Sequence, residues 1–158
     1  MPSSRSLTIG LISDTHGKLR PGAVAALRGS DAIIHAGDIG DPEILAALSR
    51  LAPVTAVRGN VDRGAWAAAI AETAVLEIGD VRIFVIHNVA ELAVDPAEAG
   101  FNAVVSGHSH RPATREKDGV LFVNPGSAGP RRFTLPIACG RLRVAGGRVT
   151  AELIELEA

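Results

Sequence analysis

The run Leu7-Thr8-Ile9-Gly10-Leu11-Ile12-Ser13-Asp14-Thr15-His16-Gly17 decides how the chain is read. A mostly apolar hexapeptide breaks abruptly into serine, aspartate, threonine and histidine. An apolar run of this length reads as a strand buried on both faces, the kind found in parallel sheets covered by helices. The polar residues fall just past its carboxyl end, which is where ligands bind in open α/β sheets. The pattern then recurs. Ala32-Ile33-Ile34 ends in His35-Ala36-Gly37-Asp38-Ile39-Gly40-Asp41, and Val54-Thr55-Ala56-Val57 ends in Arg58-Gly59-Asn60-Val61-Asp62. Helices are expected between these strands, over Pro21 to Leu27 with proline in the first turn and over Pro42 to Leu51 with Asp41 as N-cap.

The second half changes character. Ala74 to Ile78 and Val81 to Ile86 flank Gly79-Asp80, a hairpin signal. Phe101 to Val105 is another buried-type strand, ending in Ser106-Gly107-His108-Ser109-His110. Strands are expected around Glu116, over Val120 to Val123, Gly140 to Ala145 and Val149 to Leu156, with turns at Asp118-Gly119 and Gly146-Gly147. The chain shows no linker, charge block or repeat. One α/β domain over residues 1–158, with two sheets packed face to face, accommodates so many strands in so short a chain.

Composition narrows the function. Sixteen Lys+Arg against 17 Asp+Glu leave a formal charge of −1, too little basic charge for a nucleic-acid coat or a polybasic membrane binder. Aromatic residues are only 3%, which argues against a stacking platform for single strands. A lone cysteine, Cys139, excludes a disulfide within the chain and points to a reducing, cytoplasmic setting. The N-terminus is too short and polar for a signal peptide, and no apolar run approaches a membrane span. The apolar composition permits a homo-oligomer.

Five apolar strands lead into side chains able to bind metals: Asp14 and His16, Asp38, Asn60, His87, and His108 with His110. Asp14 and His16 are two residues apart, as are His108 and His110, so extended backbone would point each pair to one side. Oxygen and imidazole donors without thiolate suit Mn, Fe(II), Zn or Ni. Seven donors exceed the needs of one tetrahedral ion and suit two ions sharing a carboxylate. Neither a P-loop nor a dinucleotide-binding glycine signature is present.

Taken in order, Asp14-Thr15-His16, Gly37-Asp38-Ile39-Gly40-Asp41, Gly59-Asn60-Val61-Asp62, His87 and Gly107-His108-Ser109-His110 resemble the calcineurin-like metallophosphoesterase superfamily. Asn124-Pro125-Gly126-Ser127 and the short length are similar to its small bacterial and archaeal phosphodiesterase branch, to which the retromer metallophosphoesterase-like subunit is related. The resemblance runs from about Leu7 to Glu155. It implies a four-layer αββα sandwich of two mixed sheets flanked by helices. It also implies a dinuclear centre, with Asp14, His16 and His110 on one ion, Asn60, His87 and His108 on the other, and Asp38 between them. Mn(II) is the metal implied, with Ni(II), Fe(II) or Zn(II) as substitutes. The expected activity is phosphodiester hydrolysis by in-line attack of activated water on a small phosphate ester. A phosphomonoesterase and a non-catalytic interaction module on the same fold are the alternatives.

Three positions depart from the family pattern. Val61 stands where many members have a histidine able to protonate the leaving group, which leaves Asp62 or solvent as candidate acid. Asn88 follows His87 where glycine is usual, and Ser109 replaces a threonine. Arg63, Arg111 and Arg131 lie near the motifs and are candidates to meet phosphate oxygens. His35 is expected beneath Asp38 as support, Asn124 and Ser127 as turn-formers near the site, and Cys139, Phe84, Phe101, Phe122 and Phe133 in the core. Trp66 is expected at a groove or a dimer contact.

Overall fold

Strand pairing follows from which runs are apolar on both faces. In the computed structural model, which describes residues 6–131 and 134–157, β1 (Leu7–Ile12), β2 (Ala32–His35) and β3 (Val54–Ala56) form a parallel group. Helices α1 (Pro21–Leu27) and α2 (Pro42–Ser49) connect them. Asp41 caps α2 by accepting from the Glu43 N–H at 2.9 Å, with Pro42 opening the helix. This helix ends at Ser49, two residues before the expected Leu51, as the Leu51 and Ala52 amides fold back to the Leu48 carbonyl. A four-residue helix not foreseen from the sequence, α3 (Ala65–Ala68), follows β3.

The second sheet begins with the hairpin β4 (Thr73–Ile78) and β5 (Val81–Ile86), then β6 (Ala103–Val105), β7 (Ala113–Lys117) and β8 (Val120–Asn124). The closing hairpin β9 (Ala138–Ala145) and β10 (Arg148–Glu155) returns to the first sheet. The orders are β10-β9-β1-β2-β3 and β4-β5-β6-β8-β7, both mixed. The expected Phe133 core position lies outside the described residues.

Between the sheets, Ile9, Leu11, Ile34 and Leu142 meet Ile83, Val85, Val105 and Val123, all buried. Each such side chain contributes about 1.5–3 kcal/mol by leaving water. The other face of the first sheet carries Ile12, Ile33 and Val54 under α1 and α2. Trp66 is half-buried and packs against this layer. The outer face of the second sheet has a thinner cover than the resemblance implied. Phe84, Phe122 and Val104 lie there with Val89 from the 3₁₀ turn Val89–Glu91, and no α-helix crosses it among the described residues. Cys139 is fully buried, and burial pushes its thiol up to about 11 against the opposing charge of Arg141.

One buried chain of hydrogen bonds ties the loops after β1 and β2. The Gly37 N–H donates to His35 Nδ1 at 3.1 Å, so the ring proton sits on Nε2. Nε2 then donates to Thr15 Oγ1 at 3.0 Å, which donates to the Ile39 carbonyl at 2.8 Å. This arrangement needs a neutral imidazole. Burial draws the His35 pKa down to about 4, against the pull of Asp14, Asp62 and Asp38. The unfolded chain therefore binds the extra proton between about pH 6.5 and 4, and stability falls as pH drops through that window. In metal-free protein, the stability gap between wild type and His35→Asn should narrow by about 2 kcal/mol from pH 7.5 to pH 5. Urea titrations of both proteins at each pH check this, because titrations common to both cancel. A constant gap would contradict it.

Candidate metal centre

All seven candidate donors lie at one end of the sandwich, beyond the carboxyl ends of β1, β2, β3, β5 and β6. The first sheet supplies Asp14, His16, Asp38 and Asn60, and the second supplies His87, His108 and His110. Six of them form two triads, Asp14 with His16 and His110, and Asp38 with His87 and His108. Within each triad the donor atoms lie within 4.8 Å of one another.

The expectation of extended backbone at Asp14/His16 and His108/His110 is corrected. Asp14, His16, Asp38, His108 and His110 all have positive φ, between 48° and 74°. In this left-handed region the chain coils between His108 and His110, and the two rings go to different triads. Among described non-glycine residues only Asp118, in a hairpin turn, shares this conformation. Each instance costs about 1 kcal/mol or more, so five together rival the net stability of a small domain, about 5–15 kcal/mol. Such a cluster persists only where the surroundings hold it.

The surroundings are specific. Asp14 is fully buried, and its Oδ2 accepts from the Ser13 hydroxyl at 2.7 Å and the His108 N–H at 3.1 Å. Its Oδ1 has no well-formed hydrogen bond among the described residues and faces the Nε2 atoms of His110, His16 and His87 at 3.4, 3.7 and 3.9 Å. Three imidazole nitrogens thus converge on one carboxylate oxygen, an arrangement that suits a shared cation. Asp38 Oδ1 accepts from the Val61 N–H at 3.0 Å. Its Oδ2 lies 3.2 Å from His87 Nε2 and 3.6 Å from His16 Nε2, touching both triads, as a bridging ligand must.

His87 Nδ1 stands 2.7 Å from the Ala36 carbonyl, which can only accept, so Nδ1 carries the proton and the Nε2 lone pair faces the site. Asn60 completes the second group, its Oδ1 3.0 Å from His87 Nε2 and 3.3 Å from His108 Nδ1. Without a cation the amide would do better reversed, donating to His87 Nε2 and both Asp38 oxygens. With a cation among these groups, the oxygen-inward orientation is the required one. The residues therefore fit two divalent ions.

Electrostatics agree. Burial alone would raise the Asp14 carboxyl, but the His110 and His16 rings, the Ser13 hydroxyl and the charge of His87 hold it far below the ordinary carboxylate range. Asp38 is likewise raised by burial and lowered on balance by His87 and the Val61 N–H. Burial would lower His87, yet Asp38, Asp14 and the Ala36 carbonyl raise it above an ordinary imidazole. The same negative field would favour a metal ion in place of that proton.

Two glycines make the close approach possible. A Cβ at Gly59 would collide with the Asp38 backbone and carboxylate, and one at Gly107 with Ser13 Oγ and Asp14 Oδ2. Other expectations are resolved one by one. Asp62 is held by backbone amides: Oδ2 accepts from Ile39 and Gly59, and Oδ1 from Gly40, at 2.9–3.1 Å. Both its oxygens are occupied, so it clamps two loops, which departs from the proton-donor role suggested by the sequence. Asn88 caps the 3₁₀ turn through the Ala90 N–H at 3.1 Å. Asn124 braces the His108 loop through the Gly107 carbonyl and Ser109 Oγ. Ser127 Oγ reaches the Asp14 carbonyl at 3.1 Å. Arg63, Arg111 and Arg131 are exposed. The sequence reading overlooked Ser13, whose adjacency to Asp14 was its only signal, and Arg20, which donates through Nε and Nη2 to the Gly129 carbonyl.

Residues 7–147 match the model of the calcineurin-like phosphoesterase superfamily domain. The chain belongs to that superfamily. It is 34% identical to a probable metallophosphoesterase of Methanothermobacter thermautotrophicus, over 94% of this chain and 92% of that one. It is 29% identical to a phosphodiesterase of Methanocaldococcus jannaschii, over 76% of this chain and 83% of that one. Among solved structures, Vps29 of Chaetomium thermophilum shares the fold with a TM-score of 0.76 at 20% identity, covering 95% of this chain and all of that one. No helix among the described residues is long and apolar enough to cross a membrane.

The backbone strain gives a test confined to this superfamily member's own site. His108→Gly and His108→Ala both remove the ring, but only alanine keeps a Cβ in the left-handed region. The glycine variant should be the more stable by about 1 kcal/mol in metal-free urea titrations. An alanine variant as stable as the glycine variant would remove the claim of strain.

Proposed function

We propose that the protein is a metal-dependent phosphodiesterase, a hydrolase that uses water to cleave a P–O ester bond, with Mn(II) as its metal and Ni(II), Fe(II) or Zn(II) as substitutes. The observation that carries this reading is the pair of inward-facing donor triads meeting at Asp38. Two bound ions supply acidity to water, lowering its pKa from about 15.7 towards neutrality, and offset negative charge on the phosphoryl oxygens.

In this scheme Asp14, His16 and His110 hold one ion, Asn60, His87 and His108 hold the other, and Asp38 bridges them. Ser13 and the His108 N–H anchor one Asp14 oxygen and leave the other for metal. The Ala36 carbonyl fixes the His87 tautomer. Asp62 holds the Asp38 and Asn60 loops in register. Val61 is 41% exposed beside Asp38 and offers the leaving group no acid, so solvent supplies that proton and good leaving groups react faster. The named phosphodiesterase relative supports diesters over monoesters. Retention of all seven donors supports catalysis over a purely interacting role.

Metal content measured alongside hydrolysis of bis-p-nitrophenyl phosphate and p-nitrophenyl phosphate, with and without Mn(II), tests the reading. Two ions per chain and metal-dependent turnover, faster on the diester, are expected. Two bound ions without turnover of either ester would overturn it. Asp38→Asn removes the shared charge and should lower turnover by more than the roughly 10–100-fold cost of losing a group behind a metal ligand. Near-normal metal content and rate in that variant would refute the bridge.

A further inference from the structure

A cavity of about 320 Å³ opens beside the second triad, with Asn60, His87 and His108 on its inner wall. Its outer wall is Arg58, Glu72, Thr73, Asn88 and Glu91, over a floor that includes Ile86. Resting on the phosphodiesterase reading, we infer that this cavity receives one alcohol arm of the ester, and that the arm is an uncharged, hydroxylated group of glycerol to pentose size.

Size, charge and wall chemistry each point this way. The volume is at the small end of the roughly 300–1,000 Å³ of ligand clefts, which suits a single small arm and not a polymer. Apart from the two histidines already in the donor set, no aromatic side chain lines it, so a nucleobase would find no ring to stack on. The wall has one arginine against two glutamates, a formal balance of −1. Arg58 is already paired with Glu72, Nη2 to Oε1 at 2.8 Å, so the lining offers no uncommitted arginine or lysine to a second phosphate or a carboxylate on the arm. The Glu91 carboxylate projects from the 3₁₀ turn, is exposed, and meets no hydrogen-bond donor among the described residues. Carboxylate and threonine oxygens are acceptors for hydroxyl groups. An alkyl arm would leave them unanswered.

Two chromogenic diesters that differ only in this arm test the inference: 3,4-dihydroxybutyl p-nitrophenyl phosphate, whose hydroxyls lie too far from phosphorus to displace the phenolate readily themselves, and butyl p-nitrophenyl phosphate. In both, the oxygen of water bonds to phosphorus and its proton passes to solvent, the P–O bond to p-nitrophenolate breaks with its electron pair, and the other arm stays on the phosphate. Two hydroxyls hydrogen-bonded in the cavity should raise kcat/KM for the dihydroxybutyl ester about tenfold over the butyl ester, mostly through KM. Calorimetry of the Mn(II)-loaded protein should find glyceryl methylphosphonate binding more tightly than propyl methylphosphonate by a similar factor. In Glu91→Ala and, separately, Thr73→Val, the two esters should converge. Equal kcat/KM and equal binding in the wild type, or a preference untouched by both variants, would overturn the inference while leaving the phosphodiesterase reading intact. A 4-aminobutyl p-nitrophenyl ester preferred to the dihydroxybutyl one would overturn it in favour of a cationic arm. Failure of metal-loaded protein to turn over any diester would overturn both readings.

Discussion

Two carboxylates, Asp14 and Asp38, are held almost out of water at the rim of the sandwich, and the loops around them are organised by that burden. A buried charge is costly unless it is paired and hydrogen-bonded. Here one oxygen of each carboxylate receives backbone or hydroxyl donors, and the other is turned toward imidazole nitrogens. The negative field this creates draws protons onto His87 when no ion is present. It makes the same pocket a sink for divalent cations, so affinity for metal follows from the burial that makes the apoprotein strained.

Much of this was legible in the chain. The parallel strands declared themselves because β1 and β2 are buried on both faces over most of their length and are therefore mostly apolar. The hairpins at Gly79-Asp80, Asp118-Gly119 and Gly146-Gly147 were marked by their turn residues. The seven donors were visible because each follows an apolar run. Elements with little burial of their own were not legible. The four residues of α3 make too short a pattern to show periodicity, and the 3₁₀ turn depends on the Asn88 cap.

The misread details share a cause. Extended backbone at His108 and His110 was the natural assumption for residues following a strand, but Gly107 packs against Ser13 and Asp14, and the loop coils tightly from there. A close approach of that kind depends on residues 94 positions apart and leaves no local trace. Asp62 was misread for the same reason. Its three donors come from Ile39, Gly40 and Gly59, and only the folded loops bring them to one carboxylate. Long-range backbone contacts, more than side-chain chemistry, separate what could be read from the sequence from what could not.

The division of donors between the two sheets has a mechanical meaning. With a single cysteine the chain has no covalent fastening of its own. A pair of ions held by both sheets would act as a rivet through the layers at one end, closing loops of many tens of residues. Cross-links that span long loops restrict the unfolded ensemble most, on the chain-entropy model of disulfides. The centre would then serve as both reagent and fastener, and the sheets would be least tightly joined in a cell starved of metal.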